Sequence, residues 1–127
     1  MSFVPEDLFY TKTHEWVKIE GDIALSGITD FAQKELSDIV YVDVTEIGRE
    51  LKQGERYGTI EAVKTVSDLY LPISGEILEV NELLKSEPGI INQDPYKKGW
   101  IIKIKVKDKE EIKNLLKPEE YKRHIGE

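Results

Sequence analysis

A mostly-β domain is the fold class this sequence predicts: short strands in a sandwich or flattened barrel, with short helices at the periphery and at the carboxyl end. Three observations carry that expectation. Short apolar–polar alternations recur through the middle of the chain, glycines punctuate them closely, and helix signals are confined to the gaps and the end. At 127 residues the chain is expected to form one domain, 1–127, since domains commonly hold about 100–150 residues. A chain of this size buries roughly two-thirds of its unfolded surface, enough for a core without covalent staples. There is no cysteine, so disulfides, thiolate metal sites and cysteine nucleophiles are excluded.

In chain order, Trp16–Ile19 and Ile23–Ser26 flank Glu20-Gly21-Asp22 and read as a hairpin. Asp30-Phe31-Ala32-Gln33 has capping-box spacing with Asp30 as the cap, opening a short helix towards Leu36. Asp38–Val44 alternates, with Val40, Val42 and Val44 on one face and Ile39, Tyr41 and Asp43 on the other. Gly58–Ala62 and Val66–Leu71 are two strands around a turn centred near Lys64, and Pro72 ends the second. Glu76–Val80 and Trp100–Val106 supply two more, with one helical turn at Glu82-Leu83-Leu84. Asp108-Lys109-Glu110-Glu111 opens a helix whose Ile112, Leu115 and Leu116 share a face. Pro118 breaks it and opens another, with Tyr121 and Ile125 on one side. The Gly–acid–Ile runs at Gly21 and Gly75 echo one another, a hint of two similar halves.

Acids outnumber bases by 25 to 18, a net charge of −7. That sign repels nucleic-acid phosphates. The one local cluster, Lys103, Lys105 and Lys107, alternates with Ile102, Ile104 and Val106, so it reads as the solvated face of a strand. No stretch approaches the roughly 20 apolar residues that cross a bilayer, and Met1–Asp7 lacks the basic start and apolar run of a signal peptide. The cytoplasm is the expected compartment.

Familiar catalytic signals are missing. His14 and His124 have no zinc spacing, and there is no phosphate loop, dinucleotide fingerprint or Gly-x-Ser-x-Gly elbow. Lys64 stands out chemically because Val63, Thr65 and Val66 surround it. β-Branched residues prefer extended strands, whereas a segment chosen only for turning favours Gly, Asn, Asp or Pro. Such a tip has side chains that a partner could read around a flexible amine. On its residues alone it is also an ordinary solvated lysine, and spacing does not lift it above its neighbours.

The run Glu61-Ala62-Val63-Lys64-Thr65-Val66-Ser67-Asp68-Leu69-Tyr70-Leu71-Pro72-Ile73-Ser74-Gly75 resembles the lipoylation segment of the glycine cleavage system H protein family. His14-Glu15-Trp16-Val17, Gly27–Gln33, Asp38–Val42, and Asn92 with Asp94-Pro95-Tyr96 before Gly99-Trp100 agree with that family in the same order. The resemblance covers roughly Val4 to Ile125. Ala62 stands where the family usually has serine and Thr65 where it has alanine; both replacements keep a small side chain.

The resemblance implies a carrier rather than an enzyme, with the two-sheet lipoyl/biotinyl-carrier fold (a barrel-sandwich hybrid with a carboxyl-terminal helical tail) and a lipoyl-binding core of about 22–104. It implies lipoate joined to Lys64 by an amide. About ten bonds from the Cα, each advancing about 1.2–1.3 Å, give a swinging arm on the order of 12 Å. The implied partners are a pyridoxal-phosphate glycine decarboxylase, which loads the aminomethyl group of glycine, and a tetrahydrofolate-dependent aminomethyltransferase, which takes it. Dihydrolipoyl dehydrogenase reoxidises the arm, and a lipoate-attaching enzyme installs it. Thr13, Glu15, Ile28 and Asp68 match a cleft that shelters the loaded arm. A carboxylate at Glu15 or Asp68 can accept a charge-assisted hydrogen bond from an amine, although either can equally be an exposed acid at a strand edge. Trp16 and Trp100 read as core aromatics. Three other readings stay open: a lipoyl relay donating lipoate to other domains, a biotin carrier, whose Met-Lys-Met tip Val63-Lys64-Thr65 does not match, and an unmodified acidic adaptor.

Overall fold

Residues 1–127 are described by the computed structural model, in which nine strands form two antiparallel sheets. The strands are β1 (Phe9–Tyr10), β2 (Glu15–Glu20), β3 (Ile23–Ile28), β4 (Ile39–Val44), β5 (Glu50–Leu51), β6 (Arg56–Ala62), β7 (Val66–Tyr70), β8 (Gly75–Val80) and β9 (Ile102–Val106). The larger sheet runs β1-β2-β3-β9-β8-β5 and the smaller β4-β6-β7. The predicted mostly-β, two-sheet class therefore holds. β9 lies inside the larger sheet, which explains its alternation. Ile102 and Ile104 are buried between the sheets, while Lys105 on the opposite face is exposed.

Apolar residues from both sheets meet in one core that includes Val17, Ile60, Leu69, Ile77, Ile91 and Ile104. A smaller cluster of Val4, Leu8, Tyr10, Trp16 and Tyr121 fastens the carboxyl-terminal helix to the first strands. Trp16 is buried and donates from Nε1 to the Pro95 carbonyl at 3.0 Å. Trp100 packs half-buried against the same cluster.

The helices are α1 (Asp30–Leu36), α2 (Leu83–Ser86), α3 (Ile90–Gln93), a 3-10 turn at Lys109–Asn114, and α4 (Pro118–His124). Three local expectations change. The cap of α1 is Thr29, not Asp30: its backbone is extended and its hydroxyl accepts from Ala32 N at 3.2 Å, while Asp30 accepts from the Gln33 amide inside the first turn. Asp108 does cap the following segment, accepting from Glu110 N at 3.0 Å. That segment winds as a 3-10 turn, and Glu111 is drawn away to Ser74, accepting from its N–H and its hydroxyl at 2.7 Å each. Finally, β4 contains a bulge between Ile39 and Tyr41, so its alternation breaks. Val40 is pushed into solvent while Val42 and Val44 keep contact with the core.

Gly58 fixes how closely β6 approaches β4. A methyl group there would come within 2.2 Å of the Asp43 carbonyl oxygen and 3.0 Å of Val44 Cα, both backbone atoms. Glycine is needed because the strands, not side-chain ends, would have to move. Gly58→Ala is expected to lower stability by about 1–3 kcal/mol, read as a lower urea midpoint; an unchanged midpoint would show that β4 can yield freely.

Candidate functional site

Lys64 sits at the tip of the β6–β7 hairpin, exposed to solvent together with Val63, Thr65 and Val66. Ala62 N donates to the Thr65 carbonyl at 2.8 Å and closes the turn. No residue of the turn has positive φ, so its β-branched residues are tolerated without glycine. Val63 is 69% and Val66 61% exposed. The Lys64 ammonium belongs to none of the ion pairs of the molecule.

The tip is aimed by a relay of polar contacts. Asn92 on α3 donates to the Ser37 carbonyl at 2.8 Å and to Gln33 Oε1 at 3.1 Å, and it accepts from Ile39 N at 3.0 Å. These bonds hold the bend at Ser37, whose φ is +62°. The next residue, Asp38, offers its carbonyl to Val63 N at 2.9 Å. One half-buried amide thus positions the residue before the lysine.

All four predicted cleft residues line one groove of about 450 Å³, within the usual range of ligand pockets, about 300–1,000 Å³. Thr13, His14 and Glu15 form one wall and Ile28 with Phe31, Ala32 and Leu36 of α1 another. Ile60, Ser67, Asp68 and Leu69 bring the hairpin to its edge.

Two of the three acids that line the groove, Glu15 and Asp68, differ sharply in burial. Glu15 is not the exposed strand-edge acid that the sequence allowed: it is only 1% exposed. Its carboxylate accepts from Thr11 Oγ1 at 2.5 Å, from the Thr13 hydroxyl, and from Tyr70 N at 3.4 Å. Burial pushes its pKa up to about 7, with those hydrogen bonds opposing the rise. Asp68 lies on the rim, 47% exposed, paired with Arg56 Nε at 2.9 Å and reached by the Tyr70 hydroxyl at 3.4 Å. One acid is dry and close to its titration midpoint at neutral pH; the other stays in contact with water and a guanidinium.

A family model described as "Glycine cleavage H-protein" matches residues 8–127. The chain belongs to that family. An H protein of Halothermothrix orenii is 53% identical over 124 residues, 98% of this chain and 97% of that one. An H protein of Bacteroides thetaiotaomicron is 54% identical over 118 residues, 93% and 94% of the two chains. A solved H protein from Mycobacterium marinum superposes with a TM-score of 0.85 at 38% identity, covering 98% of this chain and all of that one.

H proteins are carriers rather than catalysts. Sequence reasoning did not place His14, Phe31 or Glu35 in the groove, nor Arg56 beside Asp68. His14 and His124 looked unrelated because they are far apart in sequence. In the fold their rings are 5.6 Å apart. Arg56 carried only a faint signal, a cation two positions before a strand glycine.

Burial of Glu15 has a consequence for stability. Below its ordinary pKa of 4.5 the carboxyl is protonated in folded and unfolded chains alike; between 4.5 and about 7 the folded chain keeps a proton that the unfolded chain releases. Stability falls as pH rises through that window, by on the order of 3 kcal/mol in total. Glu15→Gln should therefore gain on the parent from pH 4.5 to pH 7.5 in urea denaturation. A stability difference that does not change with pH would contradict the buried, proton-holding carboxyl.

Proposed function

We propose that Lys64 Nζ is the lipoyl attachment point, and that this chain carries the aminomethyl group of glycine among the enzymes of the glycine cleavage system. The observation that carries the reading is an unpaired amine at a hairpin tip, three residues from the rim of a groove lined by three acids, Glu15, Glu35 and Asp68. The partners are a pyridoxal-phosphate glycine decarboxylase, a tetrahydrofolate-dependent aminomethyltransferase, dihydrolipoyl dehydrogenase and a lipoate-attaching enzyme. The single domain 1–127 with a carrier core of about 22–104 belongs to the same proposal. In its favour, β3 to β9 span nearly that range, and the hairpin lies midway along it.

The residues fit a group of this kind. From Lys64 to the rim residue Ser67 is three positions along the chain, on the order of 10 Å at strand spacing, against an arm on the order of 12 Å. When attached, the lipoyl group supplies a disulfide that alternates with a dithiol and can bear a one-carbon unit on sulfur.

The chain's own residues do the rest. Lys64 offers an amine that an attaching enzyme must first deprotonate, because an alkylammonium has no lone pair for acyl transfer. Val63 and Val66 give that enzyme and the others a shape to grip on either side of it. Phe31, Leu36, Ile60 and Leu69 give the cleft an apolar wall without hydrogen-bonding groups, and Glu15 and Asp68 can accept hydrogen bonds from a cationic amine. An ammonium arriving beside Glu15 favours the ionised carboxylate, so Glu15 gives up its proton as the cargo docks.

Mass spectrometry of the peptide containing Lys64, after exposure to a lipoate-attaching enzyme, tests the attachment. The parent should gain one lipoyl group, and Lys64→Arg none, with an unchanged melting temperature, because a guanidinium is a poor acyl acceptor and the Lys64 side chain is exposed and in no ion pair. Modification of another lysine, or a melting temperature many degrees lower, would remove the assignment. For the cleft, Asp68→Asn should be lipoylated like the parent yet release ammonia from its cargo several-fold faster. Equal release rates would mean that Asp68 gives no shelter.

A further inference from the structure

One phenol joins the carboxyl-terminal helix to both walls of the cleft. Tyr121 of α4 is fully buried, and its ring stacks on Tyr10 with centroids 4.8 Å apart. Its hydroxyl lies 2.9 Å from His14 Nδ1 and 2.7 Å from Thr29 Oγ1. Those two atoms come from opposite sides. His14 sits between Thr13 and Glu15, in the loop whose threonines donate to the Glu15 carboxylate. Thr29 caps α1, which supplies the facing apolar wall.

The loop needs such a restraint. His14 has φ +73°, a left-handed conformation that costs a non-glycine residue of order 1 kcal/mol or more and persists only where surrounding contacts impose it. Thr29 N donates to the His14 carbonyl at 3.0 Å, and α4 pins the loop a second time through His124 Nε2 and the Lys12 carbonyl at 2.9 Å. A hydroxyl both donates and accepts, so Tyr121 can bridge an imidazole nitrogen and a threonine hydroxyl at once.

We propose that α4 is a positioning element of the cleft: Tyr121, supported by His124, clamps the loop 11–15 against the cap of α1 and so keeps Glu15 dry and correctly oriented for an amine cargo. The claim rests on the reading of the groove as the cargo shelter. It assigns a role to residues outside the groove and more than fifty positions away from Lys64 in the chain. Burial, with a smaller contribution from the Glu15 charge, raises the pKa of both the Tyr121 and the Tyr57 phenols, so both stay neutral.

The discriminating variant is Tyr121→Phe, which keeps the stacked ring and removes only the bridge. Released, the loop relaxes and water reaches Glu15, so its carboxyl ionises at lower pH. A helix that merely packs would lose stability without moving that titration. The measurement is a carbon-13 NMR titration of the Glu15 carboxyl in unlipoylated protein, with Tyr10→Phe as control. That control deletes the neighbouring buried hydroxyl, which donates to the Pro5 carbonyl at 2.6 Å, away from the cleft.

In the parent and in Tyr10→Phe the midpoint should lie near 7. In Tyr121→Phe it should drop by at least one pH unit, a tenfold change in proton affinity, and in His124→Ala by a smaller amount in the same direction. A folded Tyr121→Phe that titrates like the parent overturns the proposal. Should Tyr121→Phe fail to fold, an unshifted His124→Ala overturns it instead. Lys64 is untouched throughout, so failure of the clamp and failure of lipoylation give separate results.

Discussion

The inner face of the β6–β7 hairpin is the constraint on which the rest depends. Ile60 and Leu69 are buried to within about one per cent, with Tyr57 and Ala62 beside them. A slip of β7 by one residue against Ile60 would turn Leu69 outward and bring Asp68 in. Register is therefore fixed by burial, and the tip can afford residues chosen for something other than folding. Two exposed valines around a free lysine make poor sense as packing. They make good sense as a surface held out for contact by a hairpin whose base cannot move.

The same hairpin brings Asp68 to the rim of the groove that Glu15 closes from the other side. The division between these two acids follows from solvent alone. Asp68 keeps its hydration and a guanidinium, so its charge costs little. Glu15 has exchanged water for two hydroxyls and one distant backbone N–H, which is too little to hold a charge cheaply. A buried carboxyl near its midpoint is destabilising at neutral pH, and the fold retains it in the groove whose rim the β6–β7 hairpin forms. Structural economy would have put an apolar residue there.

Outside the sheets the elements are short, and polar side chains rather than helix length hold them. Asn92 binds the bend at Ser37, Thr29 caps α1, Glu111 ties the 3-10 turn to Ser74, and the Tyr121 hydroxyl joins α4 to both walls. Helices of four to seven residues lie below the length at which backbone hydrogen bonding sustains a helix by itself. Their order comes from these tertiary anchors.

By itself the sequence determined what local chemistry determines: strands from alternation, turns from glycine, the solvated lysine face of β9, and an ordered set of motifs that marks the family and singles out Lys64. It also placed Thr13, Glu15, Ile28 and Asp68 in one cleft, through resemblance rather than periodicity. Only the tertiary structure decided the rest. The bulge at Val40, the transfer of the α1 cap to Thr29, the burial of Glu15 and the meeting of His14 with His124 each depend on a partner distant in the chain. Periodicity and propensity describe a segment's neighbours in sequence; burial and hydrogen-bond competition are set by neighbours in space, and those exist only once both sheets have closed on the core.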